Sequence, residues 1–162
     1  MMEVPPEVAS ILRKTYFAYF CTVDSNNQAH VTPMFFYFDE ENRRFYFITS
    51  LRSKKIANMR INPGVSFTVD VRDDVNPFGN RGVMVQGIAR FARVVDVEKS
   101  RGDLLIRDAE KVYGGFEEKY PTFQPRGSPE SIDPEEGIIK VIPEKIVYWR
   151  GPEFSVLRCF PE

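Results

Sequence analysis

The sequence predicts a mainly β protein with flanking helices, an α+β chain whose antiparallel strands close into a small barrel. Three observations carry this. Five strand-like runs, rich in aromatic and β-branched residues, follow one another over residues 15–95. Most are separated by short turn segments rather than long helices, which favours antiparallel neighbours. An open sheet of this kind leaves unpaired edges, and closure into a barrel removes them.

The elements follow in order. After Pro5-Pro6, residues Val8, Ile11 and Leu12 recur at helical spacing, and proline is acceptable in a first turn, so residues 1–14 hold an N-terminal helix. Residues 15–23 and 29–38 are strand-like and flank the turn-forming DSNNQ, which makes a hairpin. DEENR turns the chain into a strand over 44–50. Ser53 is placed to cap a two-turn helix that starts at Lys54-Lys55, faces Ile56 and Met59 inward, and ends at Asn62 because Pro63 disfavours helical backbone before it. Runs 65–71 and 82–95 complete the five strands. Residues 96–120 read as one broken helix or two short ones, with Leu104, Leu105, Ala109 and Val112 on one side and Gly102 interrupting. Residues 121–137, rich in Pro, Ser, Gly and acid, form a surface loop or lid. Runs 138–150 and 154–160 are again strand-like, and Pro143 demands an edge or a bend.

A chain of 162 residues with 43% apolar residues suits one domain spanning 1–162. Its formal net charge of −1 sets up no global field for nucleic acid or an acidic membrane, so the expected partner is a small molecule or another protein chain. Cys21 and Cys159 lack metal-ligand spacing and fit free thiols in a reducing cytoplasm. No apolar run is long enough to span a bilayer, and the segment MMEVPPEVASIL does not have the pattern of an export signal, so neither a membrane-spanning nor an exported protein is expected.

The chemistry concentrates after the third strand. Thr49 and Ser50 end it, and Ser53, Lys54 and Lys55 open the short helix, so hydroxyls, free backbone N–H groups, the positive end of a helix dipole and two ammonium groups gather at one point. Between Arg43 and Arg60 stand six basic residues and no acidic one. That suits a phosphate; the alternative is a solvated helix face.

The segments HVTP (30–33), FYFITSLRSKK (45–55), NPGVSF (62–67), VQG (85–87) and YWRG (148–151) resemble the flavin-binding split β-barrel family of pyridoxamine 5′-phosphate oxidase and its relatives. The most specific part is the strand ending in Thr, then Ser, two basic residues and a downstream Asn-Pro-x-Val. The resemblance implies an FMN-binding split β-barrel, a homodimer with its flavin sites at the subunit interface. It assigns the FMN phosphate to Ser53, Lys54 and Lys55, has Thr49 touching the phosphate or the ribityl chain with Ile48 beside it, and counts Ser50 among the cofactor-binding residues. It assigns main-chain contacts with the ring's polar edge to His30, Val31, Thr32 and Pro33. Trp149 matches an indole that approaches the flavin from the partner subunit, and Gln86 lies on the strand that meets that partner, with Gly87 allowing a close backbone approach or a bulge.

There are departures. Where the vitamin-forming oxidase has an Arg-Leu-His-Asp-Arg substrate clamp, this chain has Ser155, Val156, Leu157, Arg158 and Cys159, and Gly82 stands where the oxidase pattern has Gln. The resemblance therefore implies a flavin fold rather than that reaction. Heme ligation by His30 is weighed against a packed histidine, and the packed role is favoured. Gly79, Gly82 and Gly87 make no dinucleotide fingerprint. Arg126, Arg150 and Arg158 read as solvated, Cys21 as a buried inert thiol, and the aromatics of 15–20 and 35–38 as filling for the barrel and a dimer core. No side chain is an obvious general acid or base and no metal site is expected. The implied function is a cytoplasmic flavin-dependent oxidoreductase passing two electrons between a small substrate or reduced nicotinamide and an acceptor. One alternative is a deazaflavin-dependent reductase, whose longer anionic tail would call on Arg52 and Arg60; another is a non-catalytic flavin-binding, electron-carrier or stress-related dimer.

Overall fold

The computed structural model describes residues 3–93, 104–122 and 135–159. Helix α1 (Pro6–Lys14) leads into strands β1 (Phe17–Val23), β2 (Ala29–Phe35), β3 (Tyr37–Asp39) and β4 (Arg44–Ser50), then helix α2 (Lys54–Ile61), β5 (Gly64–Val71) and β6 (Arg81–Arg93). Helix α3 (Leu104–Lys119) precedes β7 (Glu136–Arg150) and β8 (Glu153–Arg158). The strands form one antiparallel sheet in the order β2-β1-β5-β6-β7-β4-β3, with β8 added on β7. Among the described residues no helix is long and apolar enough to cross a membrane.

The two edge strands of that order, β2 and β3, are consecutive in the chain and meet at Phe36, so the backbone itself bridges the open side of the barrel. The expected single strand over 29–38 is thus two strands. A tyrosine from α3's far end satisfies the break: the Tyr120 hydroxyl accepts from the Phe36 amide at 3.1 Å and lies 2.7 Å from the Phe36 carbonyl oxygen and 2.8 Å from that of Tyr16. Burial pushes the Tyr120 pKa up to about 12.

Alternation sorts the β1 side chains. Ala18, Phe20 and Thr22 are buried, while Phe17 and Tyr19 face out. Inside the barrel the Phe67 ring lies 4.9 Å from Phe45, 5.2 Å from Phe47 and 6.3 Å from Phe20, edge-on to the first two. Each such aromatic pair contributes about 0.5–1.5 kcal/mol beyond its area burial. Val8, Ile11 and Leu12 of α1 join this core. On β4, Phe45, Tyr46 and Phe47 are all buried because α3 covers the other face, where Tyr46 and Ile138 pack with Val112, Phe116 and Tyr120. Lys111 fixes α3 to β3 through the buried Asp39 carboxylate and Glu41, each at 3.0 Å.

Pro143 sits opposite Gly87 at a bulge where the β6–β7 register shifts. There β7 passes from pairing with β4 to pairing with β8, so the missing N–H leaves no gap in either ladder. A Cβ on Gly87 would overlap the Ile142 carbonyl oxygen, which is why glycine stands there.

Several boundaries differ from expectation. The strand expected from Thr15 starts at Phe17, because Thr15 ends α1 with its hydroxyl on the Ile11 carbonyl oxygen at 2.7 Å. Glu136 and Gly137, expected in the loop, pair with β4. Residues 94–103, including Gly102, and 123–134, including Arg126, lie outside the described residues, as do the side chains of Leu104, Leu105 and Ala109. Cys21, expected buried, is half-buried on the outer face because its alternation sets it opposite Phe20 and Thr22.

Candidate functional site

The turn between β4 and α2 is held by its own backbone. Ser53 donates its amide to the Ser50 carbonyl oxygen at 3.0 Å, Arg52 donates to the Ser50 hydroxyl oxygen at 3.2 Å, and Leu51 donates to the Glu135 carbonyl oxygen at 2.7 Å. Ser53 takes the N-cap position with extended backbone, but its hydroxyl makes no capping bond. That oxygen is buried and without a partner among the described residues. Helix α2 has no acidic residue in its first turn, and the first amides of a helix have no acceptor within it.

The two lysines differ. Lys54 is exposed, and its Nζ lies 3.9 Å from Asp24, whose carboxyl is held below its usual range chiefly by the Gln28 amide. Lys55 is half-buried, burial lowers its pKa, and no hydrogen bond or ion pair engages it among the described residues. The other basic residues are placed elsewhere. Arg52 lies 3.8 Å from Glu135, and the Arg60 guanidinium sits 5.3 Å from the Phe91 ring centre. Arg43 and Arg44 are at the far end of β4, about 20 Å away at the usual strand rise. The six basic residues of this stretch are therefore not one cluster.

Strand β2 is a sheet edge, with backbone groups along one side free of ladder partners. Along it Val31 and Pro33 face out while His30 and Thr32 turn inward. His30 pairs with Thr22 across the hairpin, and the Thr22 hydroxyl accepts from Asn58 of α2 at 3.0 Å. With the Lys54–Asp24 pair, this holds α2 against the β1–β2 hairpin. The His30 Nδ1 and Thr32 hydroxyl are, like the Ser53 hydroxyl, buried and unpartnered. Sequence reasoning missed Thr22 and Asn58; the available signal was a polar residue between the inward-facing Ile56 and Met59.

Thr49 and Ile48 lie on opposite faces of β4, Ile48 packing toward α3 and Thr49 sharing the face of Phe47. Gln86 and Trp149 are not brought to Ser53–Lys55 within one chain. Gln86 sits in a row on the outer face, Val31–Cys21–Ser66–Gln86–Lys145, beside an open depression of about 330 Å³ lined in part by Cys21, Ser66 and Glu144. Trp149 lies on that face too, over Gly82 and 6.3 Å from Phe154. Arg150 and Arg158 are exposed. Among the described residues no three His, Cys, Asp or Glu side chains gather as a metal site.

A split barrel with an open strand edge, and with the half-buried Lys55 at the start of a helix beside it, is the class of architecture that the fold defines. Residues 4–150 match the family described as pyridoxamine 5′-phosphate oxidase, and the chain belongs to that family. Its fold is that of a conserved hypothetical protein from Mycobacterium tuberculosis (TM-score 0.70, 17% identity, 94% of this chain and 88% of that one). It is also similar to a FAD-binding protein from Mesorhizobium loti (0.62, 19%, 90% and 93%) and to a heme storage protein from Vibrio cholerae (0.60, 17%, 88% and 92%). At these identities the likeness is one of fold. No curated protein matches the chain.

Proposed function

We propose that the protein is an FMN-binding flavoprotein of the split-barrel type, acting as an oxidoreductase. The observation that carries this is the N-terminus of α2, where a buried unpartnered Ser53 hydroxyl and a half-buried, unengaged Lys55 meet the free amides of a helix. A phosphate monoester fits these groups: its oxygens accept from the amides, the hydroxyl and the ammonium, and its charge suits the helix dipole. Lys54, weakly held by Asp24, adds charge from the solvent side. The β2 edge from His30 to Pro33 offers main-chain groups to the polar rim of a flat ring. When bound, FMN supplies the two-electron chemistry between a small organic substrate or reduced nicotinamide and an acceptor. The chain's own part is to hold the phosphate, orient the ring and exclude water.

A second copy of the chain completes the proposal. The outer sheet face exposes Phe17, Tyr19, Val31, Phe35, Phe154 and Val156, a run of large apolar side chains that a monomer leaves in water. Gln86 and Trp149 lie on this face, so a homodimer seated there would carry them toward the other chain's flavin. A cytoplasmic setting suits the free thiols Cys21 and Cys159.

A longer deazaflavin tail fits less well, because Arg52 is engaged by Glu135 and Arg60 by Phe91. The test is an absorbance and fluorescence titration with FMN, with sedimentation to fix the assembly. The expected result is one FMN per subunit of a dimer and reduction of the bound flavin by a nicotinamide donor. Binding without reduction by any donor supports the flavin-carrying dimer instead, and no binding refutes the proposal.

A further inference from the structure

Three buried polar atoms lack a partner among the described residues: His30 Nδ1, Thr32 Oγ1 and Ser53 Oγ. The fold satisfies its fully buried polar side chains, since Thr22 and Asn58 bond each other and Asp39 bonds Lys111 and Asn42. The three unpartnered atoms, each on a half-buried side chain, are not scattered. Two are inward-facing neighbours on β2 and the third opens α2, and the contacts Lys54–Asp24 and Asn58–Thr22 fasten those two elements together. Leaving such a group unsatisfied destabilises the folded chain, so a common location calls for a common function.

We propose that Thr32, with His30, contacts the bound flavin through its side chain, and that the group it meets is the hydroxylated chain between phosphate and ring. This rests on the FMN reading above and deepens it. The Lys54–Asp24 pair sets the start of α2 beside the β1–β2 turn, where β2 begins. His30 is the second residue of β2, and Thr32 stands about 7 Å further along it. With the phosphate at Ser53 and Lys55, the next part of FMN to pass along β2 is its polyol. Polyol hydroxyls both donate and accept, which matches a threonine hydroxyl and an imidazole nitrogen in either tautomer. The main chain of β2 remains available to the ring.

The test compares FMN and riboflavin, which share the polyol and differ in the phosphate, on the wild type, Thr32→Val and Thr32→Ser. Valine keeps the shape and removes the hydroxyl. Thr32→Val is expected to weaken both ligands about tenfold, the loss of one good hydrogen bond. It is also expected to raise the unfolding midpoint of the ligand-free protein by about 2–4 °C, because an unsatisfied group has gone. Thr32→Ser should bind as the wild type does. Unchanged affinity of Thr32→Val for both ligands, or a lowered ligand-free midpoint, overturns the inference while leaving the FMN reading intact. Failure of the wild type to bind FMN at all removes that reading and this inference together.

Discussion

The Tyr120 hydroxyl accepts the Phe36 amide at 3.1 Å and stands 2.7 Å from the same residue's carbonyl oxygen. One side chain thus serves both backbone groups of the residue where β2 gives way to β3. Tyr120→Phe keeps the ring against Phe116 and Phe35 but leaves those groups buried and unmet. A loss of about 1–3 kcal/mol is expected in denaturant unfolding, far more than an exposed tyrosine would show.

Lys119 is half-buried between α1 and the barrel, with its Nζ 3.0 Å from the Leu12 carbonyl oxygen and 3.5 Å from the Phe36 ring centre. Burial pulls its pKa down to about 7, although the carbonyl and the ring favour the ammonium form. The folded value lies below the unfolded one, so between about pH 7 and the ordinary lysine range the unfolded chain binds the extra proton. Lys119 therefore contributes a stability that rises with pH across that window and is lost as pH falls to about 7. In Lys119→Met this part of the pH slope should vanish, as urea midpoints measured from pH 6.5 to 10 will show.

Trp149 lies across Gly82, where an added Cβ would overlap the indole Cζ2 and come within 2.7 Å of the Val69 carbonyl oxygen. Gly82→Ala must displace the indole or the backbone, at an expected 1–3 kcal/mol or about that size. Trp149 is the chain's one tryptophan, so its emission reports the displacement directly.

Thr22 and Asn58 bond each other in the buried seam between β1 and α2. Asn58→Leu or Thr22→Val alone strands a polar group and should cost about 1–3 kcal/mol, whereas the double substitution should cost less than the sum. A double-mutant cycle by thermal unfolding measures the coupling, and strict additivity would contradict it.

What the sequence made legible follows from how local each signal is. The α1 core residues Val8, Ile11 and Leu12, and Ile56 and Met59 of α2, announce themselves by period. The Ser50–Lys55 corner is contiguous, so its chemistry could be read without the fold. The break at Phe36 could not, because an unbroken aromatic run conceals a bend and the tyrosine that supports it is 84 residues away. Pro143 signalled a bend, yet its pairing with Gly87 at a bulge belongs to the sheet. Residues 43–60 looked like one basic cluster because sequence does not show that β4 separates Arg43 and Arg44 from Lys55 by its whole length.

The central claim is that the start of α2 takes the phosphate of FMN, and the ratio of FMN to riboflavin affinity measures it. The account predicts that the wild type prefers FMN by at least about tenfold, that Lys55→Ala abolishes most of this preference, and that Lys54→Ala, already exposed and paired with Asp24, keeps most of it. Equal affinity of the wild type for the two ligands, or a preference that survives Lys55→Ala unchanged, would contradict the account.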